Sequence, residues 1–167
     1  MSRTMWWMLY GLTMAVLITA IIVILIKRPS EEQRALEDYY HGNKLYELGH
    51  YDEAIAKYKL AIIYDPHLVK AYYNLALVLE ERSYSEAAEA WEKYLEVVKK
   101  EGVEKEAWDD IGVAREHLAY CYYNLGMEAE SDREAREYLK RYIDMAEGMP
   151  GHEGFIADAR ERLSELE

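Results

Sequence analysis

The chain has 167 residues, room for one compact domain and one accessory element, and carries 20 basic against 32 acidic side chains. The charges are segregated: Arg3, Lys27 and Arg28 stand in the first 30 residues with no acid, leaving 17 basic and 32 acidic residues in the remainder, a balance of −15. Such a body repels phosphate over most of its surface, which argues against nucleic acid as a partner and against lying flat on anionic lipid. The single cysteine, Cys121, excludes an intrachain disulfide and, inside an apolar helical pattern, reads as a small buried hydrophobe.

From Thr4 to Ile26 run 23 residues without a charge. As a helix at about 1.5 Å per residue they reach roughly 34 Å, enough to cross a hydrocarbon core of about 30 Å. Trp6, Trp7 and Tyr10 lie near one end, where amphipathic rings settle among headgroups; Lys27, Arg28 and Pro29 close the other. The run ends Ile-Leu-Ile-Lys-Arg rather than in the small residues of a cleavage site, so an uncleaved single-pass span in the lipid bilayer is expected. Counting charges in the short flanks favours the cytoplasmic side for the body by one residue, which leaves the side open. Gly11, Ala15 and Thr19 recur every fourth residue, a small-residue stripe suited to close packing by a transmembrane helix partner.

Beyond the span, residues 35–68 form a 34-residue unit that reads as helix, turn and helix. Gly42 falls where the first helix must pass close to the second, and Gly49 ends the first helix in a position suited to left-handed backbone. Asp52 and Glu53 open the second helix, where acids complement its dipole. Ala54, Tyr58 and Ala61 give it an inward stripe, and Asp65-Pro66 ends it. The unit resembles the tetratricopeptide repeat, including its GxYxxA turn (Gly49, Tyr51, Ala54) and its closing Asp-Pro. A second unit follows from Val69, with inward residues Tyr72, Leu75, Ala76 and Leu79, then Tyr84, Ala87, Trp91 and Leu95. It lacks one turn residue and no proline closes it. A third carries Leu118, Ala119, Tyr122 and Gly126, then Ala135, Leu139 and Ile143, with an insertion around Glu128 to Asp132. A last amphipathic segment (Phe155, Ile156, Ala159, Leu163, Leu166) suits the terminal cap that repeat arrays need.

The expected fold is therefore all-α: one transmembrane helix, then an α-solenoid of about three tetratricopeptide-type repeats with a C-terminal capping helix. Its parts are an anchor at 1–28, a linker at 29–34, the array at 35–152 (repeats near 35–68, 69–100 and 113–146) and the cap at 153–167.

The resemblance implies that first helices line a concave groove for an extended peptide or a partner's helix. Projected onto this chain, the groove takes Tyr39, Asn43, Tyr46 and Glu47 from the first repeat and Tyr73, Asn74, Leu77 and Glu80 from the second. The third supplies Glu116, His117, Tyr120, Tyr123 and Asn124. Tyrosine, at 16 residues against one phenylalanine, gives that groove large rings with polar tips. Relatives that grip a C-terminal carboxylate do so with lysines, an arginine and two asparagines. Here Asn43 and Asn74 match, but Tyr39, Val113 and His117 stand where the cations belong, so a carboxylate lacks its counter-charge. A basic or mixed peptide suits the groove better.

No chemistry competes with binding. His41, His50, His67, His117 and His152 show no metal-ligand spacing, and no P-loop, G-x-S-x-G or G-x-G-x-x-G occurs. Asp109-Asp110 and the acidic turn Glu128, Glu130 and Asp132 read as solvated. No enzyme, metal or cofactor is expected. The leading reading is a membrane-tethered scaffold or adaptor that collects a partner protein and assists assembly of a membrane-associated complex. The alternative is a permanent accessory subunit of a larger membrane complex of respiratory, photosynthetic or secretion type, packed partly through its span.

Overall fold

The structure, a computed structural model, describes residues 3–26, 28–102 and 108–166, with the side chains of 5, 9, 24–26 and 108–110 left aside. Lys27, and the side chains of Asp109 and Asp110, lie outside what is described. Among the described residues eight helices run in chain order: α1 (Arg3–Ile26), α2 (Glu31–Glu47), α3 (Tyr51–Tyr64), α4 (Val69–Glu80), α5 (Tyr84–Glu101), α6 (Trp108–Glu128), α7 (Asp132–Ala146) and α8 (Glu153–Glu165).

Each boundary has a local cause. Ser30 opens α2 with a capping box: its hydroxyl accepts from the Gln33 N–H at 3.1 Å, while the Gln33 side chain accepts from the Ser30 N–H at 3.0 Å. The helix therefore begins at Glu31, inside the segment read from sequence as linker. At its other end Gly49 takes φ 77, so that its N–H reaches the Tyr46 carbonyl and the His50 N–H reaches that of Leu45, both at 2.9 Å. This pair of bonds satisfies carbonyls the helix leaves open. Asp65 turns extended (φ −137, ψ 95) before Pro66 and stops α3. Ser83 and Ser131 cap α5 and α7 through the Glu86 and Glu134 N–H groups. Gly102, left-handed at φ 66, ends α5 in place of the missing proline. The third repeat starts at Trp108 rather than near 113, and its insertion is absorbed by α6 running on to Glu128.

Helices pair as α2 with α3, α4 with α5 and α6 with α7. Successive pairs stack through α3 on α4 and α5 on α6, and α8 closes the array against α7 and α6. The core alternates small and large residues. Ala54, Ala61, Ala76, Ala87, Ala119 and Ala135 let the helices approach, and Tyr58, Trp91, Tyr94, Leu118, Leu139 and Tyr142 fill the space between. Each of these large side chains contributes on the order of 2 kcal/mol by leaving water. Gly42 shows how tight the fit is, since a Cβ there would stand 2.7 Å from Cε1 of Tyr58.

α1 stands apart from this core. The window Trp6–Val23 has a mean hydropathy of 2.0 and none of it is buried in the chain, so the helix is long and apolar enough to cross a membrane. Its hydroxyls at Thr13 and Thr19 are satisfied within the helix: Thr13 donates to the Tyr10 carbonyl at 2.8 Å and Thr19 to that of Val16 at 2.9 Å.

Candidate partner-binding site

The site is built where α2, α3 and α4 meet. Asn43 follows Gly42, the point of closest approach between α2 and α3, so its side chain emerges beside the Tyr58 hydroxyl. Asn43 Oδ1 accepts from that hydroxyl at 2.9 Å and from Nδ2 of Asn74 at 2.8 Å; the same Asn74 nitrogen also reaches the Tyr39 hydroxyl at 3.4 Å. One carbonyl oxygen thereby ties three helices. Among the described residues nothing bonds Asn43 Nδ2 or Asn74 Oδ1, and no buried polar side-chain atom lacks a partner. One amide donor and one acceptor therefore remain available at this junction.

They open into a cavity of about 260 Å³ lined by Asn43, Tyr46, Glu47, Tyr58, Asn74 and Leu77. Clefts for small molecules run from about 300 to 1,000 Å³, and this one falls just below that range. Burial first, and then the charge of Glu81, holds the Tyr46 hydroxyl above its ordinary pKa, with Tyr51 and Glu80 adding to it. Carboxylates thus stand at the rim, and among the described residues no cation lines the cavity. Burial pushes Tyr58 up to about 12, which keeps it a neutral donor to Asn43. Leu36 and Tyr40, 37% and 65% exposed, continue the same stripe of α2 two turns and one turn earlier. Their spacing from Asn43 and Glu47 follows the 3.6-residue period, a signal legible in the sequence but not used there.

Of the thirteen groove residues read from sequence, Asn43, Tyr46, Glu47, Asn74 and Leu77 line the cavity, and Tyr39 is bonded at its edge. Glu80 and His117 pair with each other on the way to the third repeat, Glu116 is exposed on α6, and the other four lie elsewhere. Tyr73 packs edge-on against Trp91 and Tyr94 at 5.2 and 5.5 Å. Tyr120 pairs with Tyr84 at 5.7 Å, Tyr123 packs on Tyr142 and Phe155 at 5.2 and 5.1 Å, and Asn124 donates to the Tyr120 carbonyl of its own helix. Tyr58, assigned by its stripe to the core, has a ring buried there and a hydroxyl that reaches the site. Of the span residues, Gly11, Ala15 and Thr19 are all exposed along α1, and nothing lies within 4 Å of where a Gly11 Cβ would stand.

Glu80 links the site to the third repeat. Its carboxylate accepts from Trp91 Nε1 at 2.5 Å and pairs with His117 Nδ1 at 2.9 Å, while the His117 ring stacks on Trp91 at 5.1 Å. The Glu80 hydrogen bond raises the His117 pKa above its ordinary value, against the opposing effect of burial. Cys121, fully buried, has its thiol pushed up to about 12 by burial, which leaves it inert as a nucleophile.

No curated protein matches the chain. A solved structure described as the first TPR of Spaghetti (RPAP3) bound to the HSP90 peptide SRMEEVD aligns at 21% identity with a TM-score of 0.42, covering 81% of this chain and 94% of that one. A family model described as "TPR repeat" matches residues 42–82, from Gly42 in α2 through α3 and α4 to the turn that carries Arg82. The stretch that builds the cavity thus matches the tetratricopeptide-repeat model, and the helices around it are stacked in pairs as in such repeats.

Proposed function

We propose that the chain is a membrane-tethered scaffold that binds a segment of a partner protein in the groove between α2 and α4. The observation that carries this reading is the Asn43–Asn74 pair, which spends one amide on holding three helices and leaves a free donor and acceptor at an open cavity. Glu47 beside that cavity and Glu81 at its rim favour a partner segment carrying lysine or arginine. α1, uncharged throughout its 18-residue window, tethers the array at a bilayer and concentrates it near membrane-associated partners. Binding through a preformed groove requires no turnover, and the protein acts as a module for assembly rather than as a catalyst.

Photo-cross-linking in native membranes tests this. A benzophenone side chain placed at Tyr46, 38% exposed, is expected to capture a discrete protein adduct that disappears when Asn74→Leu is added. The same probe at Lys59, exposed on α3, is expected to give none. Adducts that are equal from both positions, or that survive Asn74→Leu, would count against the groove.

A further inference from the structure

We infer that the anchored end of the first repeat rests on the bilayer itself, with Leu60, Ile63 and Tyr64 of α3 seated among zwitterionic lipid headgroups. This rests on the tethered reading above and adds a second contact to it. α3 buries Ala54, Tyr58 and Ala61 but leaves Leu60 and Ile63 38% and 70% exposed. With the half-buried Tyr64 these residues stand at i, i+3 and i+4, on one face in the last turns of the helix. Arg34 in the first turns of α2 lies over the Tyr64 ring, 5.7 Å from its centroid. The end of α3 and the start of α2 are therefore one edge of the antiparallel hairpin, and that edge is the one joined to the span.

The tether sets the distance. α1 ends at Ile26 and α2 begins at Glu31. Five peptide steps at no more than about 3.6 Å each hold the start of α2 within roughly 18 Å of the end of α1, less than two helix diameters. The element before α2 is α1, so in the tethered reading the neighbour within reach of this edge is lipid. The chemistry of the edge matches that surface: a tyrosine and an arginine that set polar tips at headgroup level over apolar stems, beside an isoleucine. The acids at this edge (Glu31, Glu32, Asp65) are matched in number by Lys27, Arg28 and Arg34 of the sequence, while the body as a whole carries a balance of −15, which favours zwitterionic over anionic lipid.

The test uses the full chain in phosphatidylcholine vesicles, with an environment-sensitive nitrobenzoxadiazole label on an introduced cysteine and a lipid bearing a nitroxide at its headgroup. Native Cys121 is fully buried and takes no label. The label at Ile63→Cys is expected to lose most of its emission to the nitroxide. At Leu48→Cys, 63% exposed and at the far end of the same hairpin, it is expected to keep it. No quenching in the Ile63→Cys protein, equal quenching in both variants, or disulfide-linked dimers of the unlabelled Ile63→Cys chain would each overturn the inference. A label at Leu12→Cys reports the span separately: if that site also escapes the lipid-borne quencher and the vesicles float without the protein, the tethered reading fails with it. Quenching from the Leu12→Cys label without quenching from the Ile63→Cys label removes only the headgroup contact.

Discussion

Two glycines in this chain make opposite demands on a methyl group. At Gly42 the added carbon would stand 2.7 and 2.8 Å from the Tyr58 ring, which is 1% exposed and has nowhere to go. Helix propensity returns at most about 1 kcal/mol, and overpacking costs about 1–3 kcal/mol, so Gly42→Ala is expected to destabilise on balance. Gly112, exposed on α6 with nothing within 4 Å, is expected to gain roughly 0.5–1 kcal/mol from the same change. Thermal melts of the two variants should therefore move in opposite directions. His117 provides a pH handle. Its partner Glu80 holds its folded pKa above the unfolded value, so the contribution is fully present below the unfolded pKa and is lost as pH rises through the folded one. Glu116 acts in the same direction and stacking on Trp91 fixes the ring. The stability difference between wild type and His117→Gln should thus shrink in urea titrations as the pH is raised from below the ordinary histidine range to above it. A constant difference across that range would show that the pair does not titrate as described.

At the scale of elements, α8 closes a stack that otherwise ends on the apolar flank of α6 and α7. Ala159 is fully buried, and Arg136 of α7 donates to the Leu166 carbonyl at 2.8 Å. Ala159→Asp puts an unpaired charge in that seam and is expected to cost about 3 kcal/mol or more, read as a lower urea midpoint. Helix order and the cap were legible in the sequence because the small and large positions of each stripe recur at helical spacing. The starts of α2 and α6 were not. Ser30 with Gln33 is a capping box that a search beginning at the repeat unit passes over, and Trp108 lies before the inward stripe begins. Of the residues projected onto a groove, Asn43, Tyr46, Asn74 and Leu77 of the first two repeats gather around one cavity. In the third, α8 brings Phe155 against Tyr123, and Tyr84 of α5 pairs with Tyr120. Those neighbours come from tertiary packing, which a repeat register does not carry. The role of Tyr58 was hidden for a similar reason: a stripe assigns a ring to the core but does not say where its hydroxyl ends.

At the scale of the whole molecule, an apolar helix with no charge in its window is joined by a few residues to an acidic array. The array offers an opening between its first two repeats, and its edge nearest the span carries Leu60, Ile63 and Tyr64. In the proposed arrangement the tether confines the array, the hairpin edge sets its height, and the Asn43–Asn74 pair selects what it holds. The most direct test is the affinity of the full chain, in lipid nanodiscs, for the segment captured at position 46, comparing wild type with Asn74→Leu. Asn74 is half-buried, and Asn43 keeps its Tyr58 hydrogen bond in the variant, so folding should survive with a cost of about 1 kcal/mol. Losing the free Asn74 acceptor and the Asn74–Asn43 hydrogen bond should weaken binding about tenfold, equivalent to roughly 1.4 kcal/mol. Unchanged affinity in a folded variant would contradict the account.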